Sequence, residues 1–206
     1  MIIYNSDMKK ILLLSFALTY GTAVFAQKND TSVNTNTPTI GPMETTAGNG
    51  MLPKNDIIQN LELSKDLSSF YNFIVAANLL DTYKTKGPIT VFIPANEAFV
   101  NLPADKLDSL NKPSHVWELT EILTYHTIPG SLSAKDIQKQ IIGHKGIATF
   151  TTLNGAKLIA KIDANRNIVL EDENGGQSVI SRFDIKQTNG MLHIVNKVLL
   201  PKARTI

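Results

Sequence analysis

Three Asn-Gly dipeptides in the last third of the chain constrain it more than any other feature. Asn154-Gly155, Asn174-Gly175 and Asn189-Gly190 each supply residues that tolerate positive φ, which tight turns between antiparallel strands require. They separate short runs rich in Val, Ile, Thr and Leu: IATFTTL, AKLIAKID, NIVLED, SVISRFDI and GMLHIVNKVLL. Such runs, bounded by turn signals, read as strands. Within residues 157–163, Leu158, Ala160 and Ile162 face one way and the lysines the other. His193 alternates against Leu192 and Ile194, which makes it a satisfied sheet residue on the opposite face.

The half before these strands has a helical period. IIQNL gives a short helix. SKDLSSFYNFIVAANLLDTY reads as one longer helix, with Leu67, Phe70, Ile74 and Ala77 on one face and Ser64 or Asp66 as its cap. PADKLDSL and PSHVWELTEILTYH are two more, each opened by a proline. In the second, Ser114 is the expected cap and Val116, Leu119, Ile122 and Leu123 form the apolar face. Trp117 falls between that stripe and the polar side, which leaves core packing and a partner-facing anchor both open. SAKDIQKQI carries a Ser133/Asp136 capping box and an Ile137/Ile141 stripe. Helices gathered first and antiparallel strands last make an α+β class.

Between the two helical regions stands TVFIPANEAF, residues 90–99. It is a strand, a sharp turn and a helix start, the geometry in which enzymes hold a nucleophile or a phosphate. Its apex, Pro94-Ala95-Asn96, offers neither nucleophile nor glycine, and no Gly-rich phosphate cradle with a lysine. Asn96 suits an N-cap for the helix that follows, and Phe99 suits the core.

The first 55 residues read differently. Met8-Lys9-Lys10, the apolar run 11–18, and Val24 and Ala26 at the −3 and −1 positions make a signal peptide over residues 1–26, with Met8 as the better start. That run is too short to span a membrane. Residues 27–55 hold no aromatic residue and are mostly Thr, Asn, Gly, Pro and Ser, a composition that cannot offset ordering entropy and reads as a disordered tether. The domain proper is expected over 56–201, with a tail at 202–206. At about 145 residues it is long enough to bury roughly two thirds of its unfolded surface.

The chain has no cysteine and a net charge of +2, and loss of residues 1–26 removes two lysines and one aspartate. Disulfides and thiolate metal sites are excluded, and the charge carries no nucleic-acid signature. No two of the four histidines stand at i, i+3 or i+4, so no zinc site is expected. His115 and His144 read as surface positions. Glu118 and Glu121 read as solvated helix carboxylates. Glu171-Asp172-Glu173 lacks the alternating spacing of a calcium loop and reads as a charged hairpin. Asp184 is expected to satisfy backbone donors before the Asn189-Gly190 turn. His126, ending an apolar helix beside Tyr125, reads as a buried residue bonded to backbone or as a ligand contact.

Three stretches together resemble the fasciclin (FAS1) domain family: TVFIPANEAF at 90–99, YHTIPG at 125–130 and NGMLHIVNKVLLP at 189–201. Ala95 and Asn196 depart from the family's usual Thr and Asp. The resemblance implies a wedge-shaped β-sandwich with helices along one side. It further implies an exported, non-enzymatic module for cell adhesion, binding a surface or matrix protein or a polysaccharide, without a cofactor. In some animal members the Tyr-His region is linked to integrin binding, a role that maps to Tyr125 and His126. Adhesion through one weak site implies self-association or incorporation into a matrix. The alternatives are a periplasmic small-ligand or stress-related binder and a secreted hydrolase. The last needs a carboxylate pair or a nucleophile–His pair in a cleft.

Overall fold

The strand at the first motif is buried at every position, because it has a core on each face. The computed structural model describes residues 50–203. In it β1 (Ile89–Pro94) sends Val91 and Ile93 into one cluster and Phe92 into another. The first cluster lies under α1 (Ile57–Leu63), α2 (Ser68–Ala76), α3 (Leu80–Thr85) and α6 (Val116–Tyr125). The second lies within the sheet and is closed by α7 (Ala134–Gly143). A run that is apolar without alternation is what two buried faces require.

The other strands are β2 (Thr127–Pro129), β3 (Ile147–Thr151), β4 (Lys157–Ile162), β5 (Ile168–Glu171), β6 (Gln177–Gln187) and β7 (Gly190–Val195). They form one seven-stranded sheet in the order β2-β1-β7-β6-β5-β4-β3. All neighbours are antiparallel except β1 and β7, which run parallel in register from Ile89↔Gly190 to Pro94↔Val195. The eleven-residue β6 carries two register shifts between Ile180 and Ile185, and such bulges bend a strand. The sheet therefore folds over on itself, and the Leu153 N–H just past β3 reaches the Thr127 carbonyl of β2 at 2.8 Å. The two layers of the expected sandwich are the halves of this nearly closed sheet, with the helices outside it, an α+β architecture.

Two of the Asn-Gly turns use positive φ at glycine, +82° at both Gly155 and Gly175. Gly190 serves close approach instead: a Cβ there would lie 2.0 Å from the Ile89 carbonyl oxygen across the parallel pair.

Several local expectations are corrected. The long helix expected from Ser64 onward is three pieces, a 3-10 turn (Lys65–Leu67), α2 and α3. The break follows Asn78, whose φ of +55° is left-handed, a conformation Asn tolerates better than most residues. Ser64 stands at the N-cap of the 3-10 turn without a side-chain capping bond, and the N-cap of α2 is Leu67. Ser114 lies inside a second 3-10 turn (Pro113–His115) and caps nothing. Val116 is 37% exposed rather than part of the core. The Ser133/Asp136 capping box of α7 is present in both halves.

The expected signal peptide, and the tether up to residue 49, lie outside the described residues, as do residues 204–206. At 50–55, however, the chain is already docked. Met51 is 3% exposed, the Leu52 N–H donates to Asn60 Oδ1 at 2.8 Å and the Thr188 N–H donates to the Asn55 carbonyl. The ordered structure thus starts before Asp56, because the buried amide of Asn60 reaches back for partners.

Candidate binding site

Tyr125 and His126 close α6 and lead into β2, and both are fully buried. His126 donates from Nδ1 to the Ile122 carbonyl at 2.8 Å and accepts at Nε2 from the Leu199 N–H at 3.1 Å. Those partners fix the neutral, Nδ1-protonated tautomer. Burial pushes its pKa down to about 4, against the opposing effects of the Ile122 hydrogen bond and the Asp172 charge. Tyr125 donates its hydroxyl to the Lys157 carbonyl at 2.8 Å and accepts from the Glu173 N–H. Burial pushes that phenol up. The binding role expected of this pair therefore has no surface to act through: both polar ends are spent on backbone.

His193 also holds backbone, and Phe99 fills the core. His193 stacks on Phe92, its register partner, at 5.6 Å. It donates to the Leu132 carbonyl at 2.9 Å and accepts from the Asp184 N–H. Burial lowers its pKa. Phe99 packs edge-on against Phe73 in the helical core.

Asn96 and Asp184 both correct the expectation. Asn96 opens α4 (Asn96–Val100) without capping it. Its Oδ1 instead accepts from the Ser69 N–H in the first turn of α2 at 2.9 Å, and its Nδ2 donates to the Lys65 carbonyl. Asp184, at φ +60° in the bulged part of β6, accepts from the Ala134 N–H at the start of α7 at 2.7 Å, away from the Asn189-Gly190 turn. Asn189 bonds the Ile57 N–H of α1 and the Tyr83 carbonyl of α3. Asp184 and Asn189 thus pin distant helices to the sheet, and Asn96 pins α2 to α4.

From sequence, Asp172 is only one member of a charged hairpin. It is buried, and its carboxylate accepts from the N–H groups of Asn174 (2.9 Å), Gly176 (2.7 Å) and Leu200 (3.0 Å). Among the described residues no group of three or more His, Cys, Asp or Glu side chains could hold a metal ion. The contact to Leu200 belongs to a series along residues 197–203, which run past β7 as a strap without a strand partner. Ser178 holds Lys197, His126 holds Leu199, Asp172 holds Leu200 and Glu173 holds Lys202, each by accepting from a strap N–H, and Ser178 and Asn174 also donate to the strap carbonyls of Lys197, Leu200 and Pro201.

That strap walls a surface cleft of about 180 Å³ against α6. Trp117 stands in it, 52% exposed, which decides between core packing and an exposed anchor. Ile122 lines the cleft from α6, and Leu200 and Pro201 line it from the strap. Glu118 is paired with Lys106 of α5 (Ala104–Leu110). Its other oxygen accepts from Ser109 Oγ at 2.8 Å. Partial burial works to raise the Glu118 pKa, but hydrogen bonds from Lys106, Ser109 and His115 outweigh it and hold the carboxyl below its usual range. Glu121 accepts from Asn154 Nδ2 at 3.2 Å. Both carboxylates are therefore positioned before anything binds.

Among the described residues near the cleft, Ser109, His115 and Glu118 have the residue types of a hydrolytic triad. Their geometry does not suit one. Ser109 Oγ and Glu118 Oε2 both meet Nδ1 of His115, at 2.5 and 3.3 Å. A triad needs the hydroxyl and the acid on opposite ring nitrogens.

The fasciclin domain family model matches residues 65–201. The chain belongs to the fasciclin domain family. It is 31% identical over 140 residues to protein sll1483 of Synechocystis sp., covering 67% of this chain and 69% of that protein. It is 27% identical over 143 residues to human periostin, covering 69% of this chain but 16% of periostin. With immunogenic protein MPB70 of Mycobacterium bovis it shares 32% over 126 residues, 61% of this chain and 56% of the relative. Among solved structures, a FAS1 domain pair from the insect cell adhesion molecule fasciclin I matches with a TM-score of 0.62 at 20% identity, over 71% of this chain and 51% of that one. The fasciclin fold explains why the three motifs are structural: each lies on β1, on the α6–β2 junction or on β7, the buried centre of the molecule. No helix among the described residues is long and apolar enough to cross a membrane.

Proposed function

We propose that this chain is an exported, non-enzymatic fasciclin module that binds a cell-surface or matrix partner, with the cleft at Trp117 as its recognition face. The observation that carries the reading is the exposure of Trp117 beside two pre-positioned carboxylates, while the Tyr125-His126 pair is buried. Aromatic anchors with large contact area dominate binding surfaces. The family match and the fold shared with the insect cell adhesion molecule fasciclin I support the adhesion class. The alternative, a binder that encloses a small ligand, is weakened by size. Such pockets run to roughly 300–1,000 Å³, against about 180 Å³ in this cleft; a second surface cleft of about 360 Å³, lined by Phe73, Leu110 and Val116, reaches that range but is equally open to solvent. One site of this kind gives weak attachment, so useful adhesion requires several copies held together or fixed in a matrix.

The test is adhesion of cells and of matrix material to the immobilised chain, beside Trp117→Ala and His126→Ala, with thermal melts to check folding. Retention by the wild type and at least a tenfold loss in well-folded Trp117→Ala is the expected result. Loss in a well-folded His126→Ala with Trp117→Ala unaffected would return the site to the Tyr-His region. No retention of anything by the wild type would overturn the adhesion reading.

A further inference from the structure

Resting on the reading of this cleft as a recognition face, we infer that it is a subsite for one uncharged pyranose unit of a glycan chain. Four observations converge on that chemistry. First, the half-exposed indole of Trp117 offers a flat apolar face with a polar edge. A pyranose is likewise two-natured, with an apolar C–H face and a rim of hydroxyls. Second, Glu118 and Glu121 supply acceptors, and Lys106 and Lys202 supply donors, around that face. Hydroxyl groups, which donate and accept, can use both kinds.

Third, those four charges cancel. An acidic polymer meets as much repulsion as attraction, and so does a basic peptide, so the cleft's field favours a neutral ligand. Fourth, the carboxylates are already held, Glu118 by Lys106 and Ser109 and Glu121 by Asn154. Binding thus orders few rotamers. The volume of about 180 Å³ suits one six-membered sugar ring, and the open side lets a chain continue past it.

Trp117 is the chain's single tryptophan, so its fluorescence reports on this cleft alone. The full chain would be titrated with neutral hexaoses (laminarihexaose, cellohexaose, hexa-N-acetylchitohexaose), with hexagalacturonate and with hexalysine. The expected result is a saturable change in emission with at least one neutral hexaose, weakened fivefold or more in Glu121→Gln. Calorimetry should lose that binding in Trp117→Ala and keep it in Ile142→Ala, a change at an exposed apolar residue of α7. Unaltered emission with every neutral hexaose would overturn the inference, as would saturation by the acidic or basic hexamer alone. Run beside the adhesion assay, the two readings separate. Adhesion without hexaose binding removes the sugar subsite and leaves adhesion standing, and hexaose binding without adhesion does the reverse.

Discussion

His126 shows what a buried imidazole costs a fold in acid. Its pKa falls from an ordinary 6.5 to about 4 in the folded chain, so between those values the unfolded chain takes up a proton that the folded chain refuses. Stability is therefore full above pH 6.5 and declines as pH falls toward 4, by about 1.4 kcal/mol per pH unit from this group and about 3 kcal/mol in all. His193, lowered by burial as well, adds in the same direction. Urea midpoints measured between pH 7 and pH 5, above the range where carboxylates titrate, should fall with pH, and less steeply in His126→Asn. A flat profile would mean that neither histidine resists its proton. The buried, backbone-bonded His126 was legible in the sequence from its place at the end of an apolar helix. The partner on its other nitrogen, Leu199, was not, because 73 residues separate the two and only the fold joins them.

At the scale of elements, Asn96 carries the clearest lesson. Its chemistry was legible: a short polar side chain at a turn accepts from a free helical N–H. Which helix it serves was not, since spacing along the chain names only the nearest helix, while packing of α4 against α2 supplies a nearer donor. Asn96→Ala should cost about 1–2 kcal/mol. By amide exchange, the Ser69 N–H should lose protection while Phe99 and Val100 keep theirs. Loss confined to α4 would restore the local cap. Asp184 follows the same pattern toward α7. Strand periods and the α7 capping box were readable because both are local. The parallel β1–β7 pairing was not, nor was the outward turn of Trp117, which depends on where the strap crosses α6.

For the whole molecule, Asp172 joins the sheet to the strap. Asp172→Ala leaves three N–H groups without their acceptor and should cost about 2–4 kcal/mol. Amide exchange should quicken first at Leu199, Leu200 and Lys202, with β1 and β7 unchanged. Equal quickening in the central strands would make the strap inseparable from the core. The same feature has a mechanical consequence. Residues 197–203 are held at separate points along their length, by Glu173 at Lys202, by Asn174 and Asp172 at Leu200 and Pro201, by His126 at Leu199 and by Ser178 at Lys197, so a pull on the chain beyond residue 203 loads these contacts one after another, beginning at Lys202. The parallel β1–β7 ladder instead meets such a pull along its length, all of its bonds sharing the load. Tension would dismantle the wall beside Trp117 while the sheet stays whole, so a partner held in the proposed cleft would be released under force and rebound when the load is removed.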